Sequence, residues 1–342
     1  MEDYKTISKL NQSLLKKILI SPRSFLEAQK KYQEQDESSE EHFVFGSMVD
    51  LMLTGTKAEF DEKYHRVSDD AKCTEAVKVI VEGAFKEAVE LDPLFTGEIS
   101  DYRLSVLQHC KYQNYQSNWK DDTRVDKIIE QGAKYFKVLA KSIGKTVISD
   151  TEYSNALACK MALQADQFIK PFVDKKYDQE VEFWDKFIVE FTFQGLDIKG
   201  ELDRVVINHK TKVITPVDFK TTGKTVTGFQ YDFWKYRYDF QAATYRIGLE
   251  QHPKIEELIA KGYSLNLFHY IVVEKDLKNF PMIFVVSVDV QEVGLIGGEL
   301  SNGTRLEGLS QAIVRYKYAS ENNAWDYPME YYQTGGVIML ET

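Results

Sequence analysis

From Lys199 to Thr222 the chain reads KGELDRVVINHKTKVITPVDFKTT. Two apolar, β-branched runs, Leu202–Ile207 and Val213–Phe219, flank a polar connection at Asn208–Lys212, which reads as an antiparallel hairpin. A turn centred on Lys210 and Thr211 sets the register, so Ile207 lies opposite Ile214 and Asp203 opposite Asp218. Directly opposed residues have Cβ atoms about 5 Å apart. Asp218 and Lys220 are two residues apart and share a face.

Two facing carboxylates with a lysine beside them, set in apolar strands, form a costly group unless their charge is compensated. Close carboxylates raise one another's pKa, and burial adds to the effect. A divalent cation resolves the conflict, since Mg²⁺ takes one or two carboxylates together with water and phosphate oxygens. The lysine would orient or deprotonate an attacking water, or stabilise charge developing on a phosphate. The competing interpretation is a surface hairpin whose Asp203, Asp218 and Lys220 form exposed cross-strand ion pairs, because Asp-x-Lys alone recurs by chance.

Other segments give this hairpin its setting. Ser8–Lys31 has helical apolar spacing, with Asn11 or Ser8 as a cap and Ser21-Pro22 as an interruption. Gln33–Glu41 is an acidic run without apolar residues, and Phe43–Leu53 reads as a buried helix in which Asp50 is the one charged residue. A carboxylate in such a helix fits a ligand better than a packing role, since an unpaired buried carboxylate is costly. Residues 59–172 are mainly helical, with breaks near Asp92-Pro93, Thr96-Gly97 and Ile143-Gly144, and a capped helix is expected over Asp150–Ala165. Trp119, Tyr112 and Tyr115 there are read as packing rather than base-stacking residues. Strands follow at Val181–Trp184, Phe187–Phe193, Leu196–Ile207, Val213–Phe219, Leu265–Val273 and Ile283–Val288, with a long helix over Phe233–Glu250 and helix again over Gln291–Glu321. The expected fold is α/β (α+β): a mixed central sheet flanked by helices, divided into N-terminal helices (1–58), a helical insertion (59–175) and the core with its C-terminal helix (176–342).

Cys73, Cys110 and Cys159 form no CxxC pair and are too few for a four-thiolate site, so buried thiols in a reducing cytosol are expected and no iron–sulfur cluster. The apolar stretches fall well short of the ~18 residues a membrane span needs. No secretory signal opens the chain, and a cytoplasmic location is expected.

GELDRVV followed by PVDFKTT resembles the core of the PD-(D/E)XK nuclease superfamily, in particular the branch with the RecB nuclease domain, the RecE exonuclease and lambda-type phage exonucleases. The resemblance implies that Asp203, Asp218 and Lys220 form the site. It also implies roles for Gln241 and Tyr245 on the following helix, within YDFWKYRYDFQAATYRIGLE. Their spacing puts the two on one helical face, and Arg237 extends that stripe by a turn. ISKLNQSLLKKILISPRSFL and FGSMVDLMLTG resemble the opening of RecE-like nucleases, with Asp50 where relatives carry a metal-binding His. By resemblance, Asp50, Asp203, Asp218 and the Phe219 carbonyl hold one or two Mg²⁺ or Mn²⁺ ions, while Arg237, Gln241, Tyr245 and Lys224 meet DNA. The implied activity is phosphodiester hydrolysis of duplex DNA, as a 5'-3' or otherwise end-dependent exonuclease in recombination, repair or phage DNA metabolism. The implied partners are DNA, a single-strand annealing protein and further copies of the chain.

The chain is acidic overall, with 43 Lys and Arg against 53 Asp and Glu, which argues against a surface that is basic throughout. Between Lys199 and Arg246, however, basic residues (among them Arg204, Lys220, Lys224 and Arg237) outnumber acidic ones, and Lys5, Lys9, Lys16, Lys17 and Arg23 add a second cluster on the first helix. Phosphate contacts by such residues dominate affinity for DNA. Two rival functions remain: a structure- or site-specific endonuclease on the same fold, and a non-catalytic nuclease fold that binds DNA or assembles with partners.

Overall fold

The computed structural model describes residues 4, 7–33, 41–69, 73–91 and 97–339. Most of the acidic run, residues 34–40, lies outside them, as do Lys5, the Asp92-Pro93 break, Thr96 and Leu340. In chain order the elements are β1 (Leu10–Asn11), α1 (Gln12–Ile20), α2 (Pro22–Gln33), α3 (Glu41–Thr54), α4 (Lys57–Lys63), β2 (Tyr64–Val67), α5 (Glu75–Leu91), α6 (Arg103–Tyr112), α7 (Asp121–Lys141), β3 (Thr146–Ser149), α8 (Asp150–Ala165) and α9 (Lys170–Val173). Then come β4 (Val181–Phe193), β5 (Leu196–Asn208), β6 (Val213–Thr222), α10 (Phe229–Lys235), α11 (Tyr238–Glu250), α12 (Pro253–Ala260), β7 (Ser264–Leu265), β8 (Phe268–Glu274), β9 (Met282–Val286), α13 (Val288–Ile296), β10 (Gly298–Glu299), β11 (Arg305–Leu306), α14 (Leu309–Glu321) and α15 (Met329–Gln333).

The chain divides into two compact units, one of Met1–Thr54 with Cys159–Thr342 and one of Gly55–Ala158. The first is mixed α/β around a central mixed sheet. Its strands run β1-β5-β6-β8-β9, with β4 on the other edge of β5 and β7 beside β6. The β4–β5, β5–β6 and β8–β9 pairs are antiparallel, and β6 pairs in parallel with β8. A parallel neighbour needs a crossover, and α10, α11 and α12 supply it. Leu14, Leu15 and Ile18 of α1, Phe240 and Leu249 of α11, and Leu309 and Ile313 of α14 share one buried core with the strands. Helix α1 starts where Asn11 Oδ1 accepts the Leu14 N–H at 2.9 Å, and it ends before Pro22.

The hairpin has the expected register: Ile207 pairs with Ile214, and the ladder runs to Arg204 opposite Val217. Helix α8 covers the span expected of it. Three expectations are corrected. The Phe233–Glu250 helix is two helices, because Arg237 takes φ +56 between α10 and α11. The Gln291–Glu321 helix is broken by Gly297 at φ +78 and the small β10–β11 hairpin. The two strands expected at Val181–Trp184 and Phe187–Phe193 are one strand, β4.

The second unit is mainly helical, with its own core of Val77, Ile80, Val81, Val106, Ile128 and Phe136. It also holds a parallel two-stranded ladder, β2 with β3. Cys110 and Cys159 are buried, whereas Cys73 is only partly covered. Tyr115 packs against this core, but Tyr112 and Trp119 are exposed, a correction to the packing assigned to them. Among the described residues no helix is long and apolar enough to cross a membrane.

Candidate active site

Strands β5 and β6 are paired up to Arg204 and Val217, and Asp203 and Asp218 follow where the regular ladder stops. At this point the Phe219 N–H, on β6, donates to Asp203 Oδ2 at 2.9 Å, so a carboxylate takes the place of a strand partner. On the other edge of β5, Lys186 occupies the register position opposite Asp203, between the Asp185–Arg204 and Phe187–Leu202 pairs. Its Nζ donates to Asp203 Oδ1 at 2.9 Å and to Asp50 Oδ2. Asp50 comes from α3, which packs on β5 and β6. Carboxylates of α3 and β5 are thereby joined, with Asp218 on the neighbouring strand β6, and it is Lys186, given no role in the sequence, that binds the two.

Asp218 is buried, and its Oδ1 is held by the Lys220 ammonium in an ion pair. Its Oδ2 accepts from Gln241 Nε2 at 3.1 Å, and Gln241 in turn lies 3.5 Å from the Tyr245 hydroxyl. The Tyr270 hydroxyl, which donates to the Tyr238 carbonyl at 2.9 Å, lies 3.3 Å from Gln241 Oε1. Tyr245 lies against β5 where residue 200 is glycine; a Cβ there would come within 2.7 Å of its ring. The Lys220 ammonium also sits 5.0 Å from the centre of the Tyr238 ring. Lys16 of α1, counted in the second basic cluster, donates to the Tyr236 carbonyl at 3.2 Å.

These placements set the ionisation of the group. Burial pushes Asp50 up to about 7, with Asp203 adding to the shift and Lys186 opposing it. Burial likewise pushes Asp218 up to about 6, against the pull of Lys220. Burial acts in the same sense on Asp203, but Lys186, Lys220 and the Phe219 N–H outweigh it and hold that carboxyl below its ordinary range. For Lys220 burial favours the neutral amine, yet Asp218, Tyr238 and Asp203 prevail and the group stays cationic. Burial and the nearby Lys220 bring Lys16 down to about 8.

Other residues singled out in the sequence lie elsewhere or are already engaged. Arg237 does not extend the Gln241–Tyr245 stripe: it precedes α11, and its guanidinium binds Asp239 and the Glu307 carbonyl, the latter at 2.6 Å. Lys224 pairs with Asp232 at 2.6 Å. Arg204 is fully buried and donates to Asp185 and to the Phe172 and Leu53 carbonyls, while Lys199 is buried against the Tyr4 and Ile7 carbonyls. The locally basic stretch is thus spent in good part on internal bonds, a correction that charge counting could not foresee. A cavity of about 1100 Å³ lined by Lys9, Lys17, Lys31, Tyr32 and Leu196 contains none of the gathered carboxylates.

Among the described residues no three His, Cys, Asp or Glu side chains are drawn together tightly enough to hold a metal, and the Lys186 ammonium stands between Asp50 and Asp203. In kind, the donors fit a hard divalent cation: all are oxygens, and two of the three carboxylates have raised pKa values that a cation would relieve.

The sequence profile of the PD-(D/E)XK nuclease superfamily matches residues 9–275, a span that includes every residue of this cluster. No curated protein matches the chain. A crystal structure from Eubacterium rectale, of a protein described as a candidate exonuclease, is similar at 14% identity over 84% of this chain and 92% of that one, with a TM-score of 0.35, a likeness too slight to carry an argument.

Proposed function

The chain belongs to the PD-(D/E)XK nuclease superfamily, and from that premise we propose that it is a deoxyribonuclease dependent on Mg²⁺ or Mn²⁺ that degrades linear duplex DNA from its ends. The observation that carries the reading is the joining of Asp50 and Asp203 through one ammonium, with Asp218 and a cationic Lys220 on the neighbouring strand β6. Asp50, Asp203, Asp218 and, by the motif resemblance, the Phe219 carbonyl would hold the cation. When bound, the cation lowers the pKa of a coordinated water and neutralises charge on the scissile phosphate. Lys220, kept protonated by Asp218, donates to the attacking water or to a phosphate oxygen and so stabilises negative charge in the transition state. Gln241 fixes the Asp218 carboxylate through its amide, and Tyr245 supports Gln241. The end-dependent mode, and the RecB- and RecE-like branch with its recombination role, rest on the motif resemblance in both halves of the matched span.

The test compares linear and covalently closed circular duplexes in Mg²⁺ or Mn²⁺, with wild type and Lys220→Ala. Degradation of the linear form alone, lowered at least roughly 100-fold by the substitution, is expected. Equal rates for the two proteins, or no activity with either metal, overturns the reading; cleavage of closed circles makes the enzyme an endonuclease. One observation favours a second reading, a non-catalytic DNA-binding fold: Lys186 already neutralises two of the three carboxylates. Metal-dependent turnover excludes it.

A further inference from the structure

Lys186 has no part in the chemistry above, yet its setting is particular. It lies in β4 with a positive φ of 49°, a backbone conformation unfavourable for any residue with a side chain, while its neighbours Asp185 and Phe187 keep regular partners on β5. Its ammonium reaches Asp50 on one side and Asp203, at 2.9 Å, on the other, and its side chain is 34% exposed. It binds two of the three carboxylates assigned to the metal while leaving Asp218 to Lys220.

We propose that Lys186 is an exchangeable internal cation: it holds Asp50 of α3 and Asp203 of β5 together in the metal-free protein, and a divalent ion must displace its ammonium to enter. The inference rests on the proposed metal centre. The physical argument is competition for the same two carboxylates. An ammonium and a divalent ion cannot both occupy the space between Asp50 and Asp203, so apparent metal affinity is the intrinsic affinity reduced by the free energy of breaking two ion pairs. The partial exposure of the side chain gives the displaced ammonium a route to solvent on its flexible stem. Lys186 thus acts as a positioning residue: it preserves the arrangement of the carboxylates without metal and raises the metal concentration at which the centre fills.

Calorimetric titration of the full-length protein with Mn²⁺ tests the competition. Lys186→Met is expected to bind Mn²⁺ at least tenfold more tightly than wild type; an unchanged or weaker Kd overturns the inference. Displacement is read on wild type, so it does not depend on the variant folding: under reductive methylation followed by peptide mass spectrometry, Lys186 is expected to label faster in saturating Mn²⁺ than in EDTA. Equal labelling overturns displacement even where the Kd has tightened. Mn²⁺ binding that ignores Lys186 removes this inference alone, whereas absence of binding by both proteins removes the metal centre as well.

Discussion

Asp50 and Asp218 keep their protons to about 7 and about 6, because burial and neighbouring carboxylates disfavour their charged forms. In the unfolded chain both ionise near 4. Between these limits Asp50 and Asp218 bind more protons in the folded metal-free protein than in the unfolded chain, so they make stability fall as pH rises from about 4 to about 7, against the partly buried His252 and the buried His269, whose lowered pKa values act in the opposite sense. Asp203 acts in the opposite sense, but its depressed pKa confines that effect to lower pH. In EDTA, Asp50→Asn, which has no charge to suppress, is therefore expected to make the slope of the urea midpoint against pH more positive than that of wild type across this window. A slope unchanged by the substitution removes the assignment. At this scale the sequence brought Asp203, Asp218 and Lys220 together because a local turn sets their register; Gln241 and Tyr245 came from the motif resemblance, their spacing giving only a shared helical face. Lys186 was missed because Asp185-Lys186 read as a gap between two strands, which hid its register opposite Asp203 seventeen positions on, and because Asp50 lies 136 positions away. A sign was present, however: Asp185 and Lys186 are the two charged residues that divided the β4 sequence into two apparent strands, and they are the ones that meet Arg204 and Asp203.

Hairpin register was legible because a short connection fixes which residues oppose one another, whereas the break before α11 was not. Tyr236-Arg237 carries no Gly or Pro, and what stabilises the left-handed Arg237 is its hold on Asp239 and on the carbonyl of Glu307, seventy positions away. Arg204 shows the same limit. In sequence it is one more cation in a basic stretch; in the fold it ties β5 to β4 through Asp185 at 2.5 Å, to the C-terminal turn of α3 through the Leu53 carbonyl at 2.7 Å, and to α9 through the Phe172 carbonyl at 2.8 Å. Because α3 carries Asp50, this single guanidinium also helps set the site. Arg204→Met keeps most of the volume but leaves a largely buried carboxylate, two carbonyls and no fork to join them. A loss of roughly 3 kcal/mol is expected in urea unfolding, lessened by the remaining Lys175–Asp185 pair. Near-neutral stability would show that the three elements are held by apolar packing alone. Arg204→Lys is expected to recover only part of the loss, since an ammonium cannot reproduce the planar three-way contact.

At the scale of the whole molecule, the division into two units has a different physical basis from the site. Motifs crowd into the sheet-bearing unit, while Gly55–Ala158 offered only helical periodicity, and even its β2–β3 ladder escaped notice because each strand has four residues and the two are paired in parallel across a long stretch of chain. What the structure adds is that this segment closes its own core, with Ile80, Val81, Ile128 and Phe136 almost wholly buried. The sheet-bearing unit has a separate core built on Leu15, Leu202, Phe240 and Leu309. A domain with its own core unfolds on its own account where few buried contacts link it to the rest, so damage to one core should be felt first within it. Phe136 packs edge-on against Phe85 at a ring separation of 5.4 Å, and Phe136→Ala empties the middle of the helical core at a cost of roughly 3–5 kcal/mol. Hydrogen exchange followed by mass spectrometry should then show faster exchange in α5, α6 and α7 with protection unchanged in β5, β6 and α11. Uniform acceleration through both sets would mean that the two cores form one cooperative system and that the helical segment is a structural part of the nuclease unit.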